Sequence, residues 1–241
     1  MAQINFIYPI LIFFGLAPSI IWLLFFLRKD KLPESKRMIL KIFFYGMLAT
    51  VPAALIELGF FEKVGDLNLP PLIFVLLYSF LGISFTEEIL KYLVVKKMVL
   101  SHHEFDEPVD TIVYMITAAL GFAALENLLI LLPMSANFQF FEAAFVSIFR
   151  FVGATFLHAL CSGLLGYYIA FSFLKTENKT KLAIKGMFWA TLLHGLYDLS
   201  IIEVEGGFKF AVPIIILIGL TIFITVGFQK VKALKSICKI K

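Results

Sequence analysis

Six carboxylate and imidazole side chains stand inside strongly apolar stretches of the chain: Glu87, Glu88, Glu126, His158, His194 and Asp198. Ionisable groups at such depth are costly and mark function by default. Glu87 and Glu88 occur in Phe85-Thr86-Glu87-Glu88-Ile89-Leu90-Lys91. On a helix Lys91 lies four residues from one and three from the other, so one carboxylate can pair with it while the other points elsewhere. Two carboxylates in unlike environments separate a general base from a structural anion. The plainer reading is a snorkelling lysine with polar neighbours. Glu126 follows Gly121-Phe122-Ala123-Ala124-Leu125, about 27 Å along a helix from Pro108, and needs a partner at that depth. The small residues Ala119, Gly121, Ala123 and Ala124 would let another helix approach, and an ion pair with Arg150 is the competing explanation. His194 and Asp198 are four apart and share one helical face, where Asp198 could orient the ring or both could ligate a metal. His158 stands alone in Leu157-His158-Ala159, and an isolated histidine can be no more than a hydrogen bond between helices. His102 and His103, beside Glu104, Asp106 and Glu107, read as part of a solvated acidic loop.

The elements that must position these groups are membrane helices. Hydrophobic residues make up 61% of 241 positions, 16% are charged, and the mean hydropathy is +0.94. A water-soluble domain of this length needs more polar surface, so the lipid bilayer is the expected solvent. Apolar runs at about 3–27, 40–61, 71–95, 109–133, 142–174, 183–203 and 209–229 are each long enough to span it as helix. The expected fold is therefore all-α, a polytopic transmembrane bundle of about seven spans, with the site's ionisable groups in spans three to six. Six Lys and Arg residues lie in 28–41, two in 96–107, four in 175–185 and five after 229. The alternate connections 62–70, 134–141 and 204–209 carry one, none and one. That asymmetry predicts an outer N-terminus and a cytoplasmic C-terminus. The net charge of +4 thus marks topology, and no nucleic-acid partner is expected. The two cysteines, Cys161 and Cys238, imply no disulfide framework, and nothing resembles a cleavable signal peptide. With no linker or low-complexity tract, residues 1–241 read as one membrane domain whose core spans cover about 71–203.

In chain order, Glu87-Glu88-x-x-Lys91, Asp106-Glu107-Pro108, Gly121-Phe122-Ala123-x-x-Glu126-Asn127, His158 and His194-Gly195-x-x-Asp198 resemble the signature of the PrsW-type intramembrane proteases. Ala17-Pro18, Arg28-Lys29-Asp30 and Pro33-Glu34 look like that family's entry segment. The family is distantly related to the type II CAAX-prenyl endopeptidases and Abi membrane proteases, whose pattern is a Glu pair, Phe-x-x-x-His and His-x-x-x-Asn. This chain offers Phe122-x-x-x-Glu126 and His194-x-x-x-Asp198 in the last two places. The resemblance implies cleavage of a membrane-anchored protein, with a single-span anti-sigma factor as the family's best-known substrate, in a prokaryotic-type inner membrane.

The residues agree with hydrolysis, which needs an activated water, a proton donor and a stabilised oxyanion. Glu87 is the candidate base, and either Glu126 or His158 shares its water. His194, oriented by Asp198, would polarise the scissile carbonyl. Glu88 completes the catalytic candidates, with Lys91 and Asn127 in support. Glu87, Glu126, His158, His194 and Asp198 are also candidate ligands of a metal such as Zn²⁺, and a metal-free Glu/His mechanism stays equally open. No serine-hydrolase elbow or His-Glu-x-x-His motif occurs. Two other classes compete: a proton-coupled transporter, disfavoured by the lack of an inverted repeat, and a non-catalytic scaffold or immunity-type protein.

Overall fold

The computed structural model describes residues 4–29, 34–100, 102, 105–173, 179–204, 206 and 208–233. Asp30, Pro33, His103, Glu104 and Cys238 of the sequence reading lie outside them. Every element among the described residues is helical: α1 (Ile4–Leu27), α2 (Lys36–Gly65), α3 (Pro71–Leu77), a π-helical stretch (Tyr78–Phe85), α4 (Thr86–Met98), α5 (Asp110–Leu131), a 3-10 turn (Leu132–Asn137), α6 (Phe140–Val152), α7 (Ala154–Ser172), α8 (Lys179–Glu203) and α9 (Phe208–Lys232). A helix satisfies its own backbone polar groups, which hydrocarbon cannot do for it. Local signals set the ends. Ser35 Oγ accepts from the Met38 amide at 3.2 Å to start α2, and Pro71 occupies the first turn of α3, where its missing N–H costs nothing.

Among the described residues, six helical stretches are long and apolar enough to cross a membrane: α1, α2, α3 through α4, α5 with its 3-10 turn, α6 through α7, and α9. The seventh predicted span, α8, is 25 residues long, and the polar groups it carries keep it out of that set. Large side chains such as Phe13, Phe141 and Ile215 are exposed on the outer faces, an arrangement that suits lipid and would be a liability in water. The centre of the bundle is α5, whose span is 67% buried against 28–44% for the other five. Glycines allow that centrality. Gly46 of α2 and Gly121 of α5 face each other's helices so closely that a Cβ on either would run into backbone, at Ala118 and Phe43 respectively. On the opposite side, a Cβ at Gly166 of α7 would come within 2.7 Å of the Thr111 carbonyl oxygen. Thr111 Oγ1 bonds the Gly166 carbonyl across that contact at 2.8 Å.

Three features go beyond what the sequence led us to expect. The third span is not one regular α-helix. Its middle widens into eight π-helical residues, where Ser84 Oγ donates to the Ser79 carbonyl at 2.6 Å and Thr86 Oγ1 to the Leu81 carbonyl at 3.1 Å. Each hydroxyl serves a carbonyl five residues back, as the wider winding requires. The fifth span is likewise broken, between α6 and α7 at Gly153. There Trp22 Nε1 donates to the Phe151 carbonyl at 2.8 Å, supplying a donor where the helix ladder is interrupted. Ionisable groups inside spans also extend beyond spans three to six, because Glu57 sits in α2.

Candidate active site

Four helices contribute to one buried polar cluster. The π-helical stretch ends at Phe85, and α4 begins with Glu87 and Glu88 in its first turn. Gly195 of α8 packs against this widened segment, since a Cβ there would lie 2.5 Å from the Phe80 ring and 3.0 Å from Ser84 Oγ. That close approach brings His194 to the two glutamates. From the other side α7 presents His158, and α5 presents Phe122 and Glu126.

Lys91 is fully buried, and its ammonium lies 3.0 Å from Glu87 Oε2, 2.9 Å from Glu88 Oε1 and 2.8 Å from His158 Nδ1. The face of the Phe122 ring covers it at 4.4 Å. An ammonium has three donors and no acceptor, so all three are used and His158 Nδ1 must present a lone pair. The other ring nitrogen of His158, Nε2, then donates to Glu126 Oε2 at 2.8 Å. Glu126 is held in turn by Arg150 at 2.9 Å. Arg150 Nε donates to Asn127 Oδ1, whose own amide donates to the Gly15 carbonyl at 3.2 Å and Thr155 Oγ1 at 3.1 Å.

His194 lies between carboxylates on both sides. Its Nδ1 is 3.1 Å from Glu88 Oε1, while Nε2 is 3.3 Å from Asp198 Oδ2 and 3.8 Å from Glu87 Oε2. Glu88 Oε2 accepts from Ser162 Oγ at 2.7 Å, so this glutamate is held from α4, α7 and α8 at once. With Nδ1 donating to Glu88, His194 Nε2 faces two carboxylate oxygens, a meeting that calls for a shared proton or a cation. Glu87 Oε2 and His158 Nδ1 are 3.5 Å apart. One ligand atom each from Glu87, His158 and His194 falls within 4.8 Å of the others. The set suits a metal by its donors as well as its spacing. It joins one carboxylate and two imidazoles, as in catalytic zinc sites. A carboxylate also stands behind each imidazole, Glu126 behind His158 and Glu88 behind His194, the usual outer support of a ligating histidine.

All six sequence candidates therefore gather in one region, in unequal places. Glu87, His158 and His194 share the centre. Glu126 is behind His158, joined to Arg150 as its alternative explanation required while still touching the cluster. The ring nitrogen of His194 remote from the centre is held by Glu88, whereas Asp198 stands on the same side as Glu87. Neither glutamate is left apart from Lys91, which contacts both. Asn127 steadies Arg150 and lies away from the centre. Several contributors escaped the sequence reading. Ser162 and Thr155 are small hydroxyls in apolar runs and carry no signal. Phe122 offered only its place in a motif. Glu57 of α2 was findable as one more glutamate inside a span.

The sequence profile of the PrsW family intramembrane metalloproteases matches residues 34–226. Among curated proteins, the chain is 31% identical to the protease PrsW of Bacillus subtilis over 226 residues, 92% of this chain and 94% of that one. It is 32% identical to the protease PrsW of Geobacillus kaustophilus over 79% of each chain. Against the protease PrsW of Oceanobacillus iheyensis the identity is 29%, over 76% of this chain and 79% of the relative. No solved structure matches.

Proposed function

The chain belongs to the PrsW family of intramembrane metalloproteases, and on that footing we propose that Glu87, His158 and His194 form the hydrolytic centre of a protease cutting a single-span, membrane-anchored protein. The observation that carries this reading is the convergence of those three ligand atoms within 4.8 Å inside a bundle of membrane-length helices. The substrate class follows the resemblance, with an anti-sigma-factor-like protein as its type. A cavity of about 870 Å³ with apolar walls runs along α4, α7 and α8, past Phe85, Ile89 and Leu192. Glu87, His158 and His194 are not in its lining, and a hydrophobic chain would dock there against the helices that bear them.

In a metal-free reaction Glu87 Oε2 takes the proton of the attacking water. Lys91 keeps that carboxylate oriented, and Arg150 and Glu126 keep His158 turned with Nδ1 inward. His194 Nε2, 3.8 Å across from Glu87, is placed to serve the carbonyl oxygen or the departing amine, with Glu88 fixing the ring and Asp198 beside it. A divalent cation such as Zn²⁺ held by Glu87, His158 and His194 would supply Lewis-acid polarisation and a more acidic water. Burial excludes bulk water from the centre and strengthens each of these polar contacts.

Co-reconstitution of the purified protein with a single-span substrate tests the reading. Cleavage within or beside the substrate's span is the expected result. Proton-coupled solute flux without cleavage would favour a transporter, and tight binding without either would favour a scaffold. Assay with and without chelator, alongside elemental analysis, decides whether a metal takes part.

A further inference from the structure

A fully buried lysine is expensive unless every donor is met and its charge is balanced. Lys91 meets both conditions, and the acceptors it uses are telling. Two of the three, Glu87 Oε2 at 3.0 Å and His158 Nδ1 at 2.8 Å, belong to residues of the three-member set suited to a metal. The third, Glu88 Oε1, also receives His194 Nδ1 at 3.1 Å. One ammonium therefore draws together the glutamate and histidine of the centre and, through Glu88, positions its second histidine. A lone pair on His158 Nδ1 cannot serve the ammonium and a metal at the same time.

We propose that Lys91 is the resident cation of this centre: its ammonium holds Glu87 and His158 in place in the metal-free protein and must give up His158 Nδ1 when a metal binds. The inference rests on the reading of Glu87, His158 and His194 as the metal-holding set. Lys91 keeps its charge throughout, because Glu87 and Glu88 remain to balance it. Two consequences follow. With the ammonium bridging Glu87, Glu88 and His158, the centre needs no metal to keep its shape, unlike a site that folds only around its ion. Metal affinity is also held down, since the incoming ion must displace a tethered cation and then tolerate it as a neighbour.

The experiment is Zn²⁺ titration of the purified full-length protein against a competing chelator, with thermal unfolding measured in parallel. Lys91→Met should bind Zn²⁺ at least about tenfold more tightly than wild type, in the 10–100-fold range by which groups around a metal tune its affinity. It should unfold at lower temperature without metal and recover with it. Glu88→Gln combined with Lys91→Met removes a charge of each sign and leaves the net charge of the cluster unchanged. Tighter binding in this double variant assigns the effect to competition for His158 Nδ1. In a Zn²⁺-bound structure of the wild type, Lys91 Nζ should have left hydrogen-bond distance of His158 Nδ1. Wild-type binding with no gain in either folded variant, or Nζ still on His158 Nδ1 with the metal bound, would overturn the inference while sparing the metal reading. No Zn²⁺ uptake by wild type or variants would overturn both. Cleavage of a single-span substrate that persists in chelator would leave the protease reading standing alone.

Discussion

Glu88 accepts from Lys91 at 2.9 Å, Ser162 at 2.7 Å and His194 at 3.1 Å while fully buried, so its removal takes one of the two carboxylates from Lys91 and leaves the Ser162 and His194 donors without their acceptor. Taking the sole partner from a buried charge typically costs about 3–5 kcal/mol; here Glu87 still faces Lys91, and the unmet buried donors of Ser162 and His194 add about 1–3 kcal/mol each. Glu88→Ala should therefore lower the thermal unfolding temperature sharply. Glu88→Gln, which keeps the shape and an acceptor oxygen, should remain folded and lose less activity than the same change at Glu87. Ser162→Ala removes one hydrogen bond to a charged group and should cost about 1.5–3 kcal/mol, read by the same unfolding measurement. Equal unfolding temperatures for Glu88→Ala and wild type would contradict the role given to Glu88. At the centre, His194→Ala should abolish cleavage, while Asp198→Asn should retain some. Asp198 stands 3.3 Å from a nitrogen whose ring Glu88 already orients.

The helices matter through where they depart from regularity. The π-helical residues Tyr78–Phe85 set the direction from which Glu87 and Glu88 enter, and Gly195 lets α8 close against them. The Gly46–Gly121 crossing holds α2 on α5, the helix that bears Glu126. Replacing Gly121 by Leu should force those helices apart, costing at least the 1–3 kcal/mol or so typical of overpacking, and should lower the yield of folded, monodisperse protein. A Gly121→Leu protein as stable as wild type would show that the contact is dispensable. The existence of the helices was legible in the sequence because long apolar runs must be helical in a bilayer, whereas α8, long but rich in polar groups, falls short of the other six in apolarity. The π-helical stretch was not, since Tyr78–Phe85 is as apolar as its surroundings and a shift from four-residue to five-residue hydrogen bonding leaves hydropathy unchanged. Gly153 was visible as a residue, yet glycine is common within membrane helices and only its non-helical backbone angles show that the helix breaks there. The site followed the same division. Its members stood out as ionisable groups in apolar runs. Their pairing depended on helix tilt and rotation, which is why the nitrogen of His194 remote from the centre is held by Glu88 rather than by Asp198, its neighbour on the helix.

For the molecule as a whole, the alternation of Lys and Arg between connections predicts an outer N-terminus and a cytoplasmic C-terminus. Reporter fusions after Leu69 and after Thr176 should therefore report opposite faces of the membrane, and the same face for both would refute the seven-span topology. The distribution of burial suits a chain that reacts inside the bilayer: exposed aromatic and aliphatic side chains outside, and within them a polar cluster closed off by α5 and α7. Such a design suits the membrane-anchored substrate proposed for it. Cleavage of a co-reconstituted single-span substrate by folded Glu87→Gln protein is the most direct test of that account. The substitution keeps the side chain's size and one acceptor oxygen but removes the carboxylate that takes the water's proton. The rate should fall by about 10²–10⁴-fold, and further if Glu87 also holds a metal. Cleavage at the wild-type rate by intact Glu87→Gln protein would contradict the hydrolytic centre proposed for this chain.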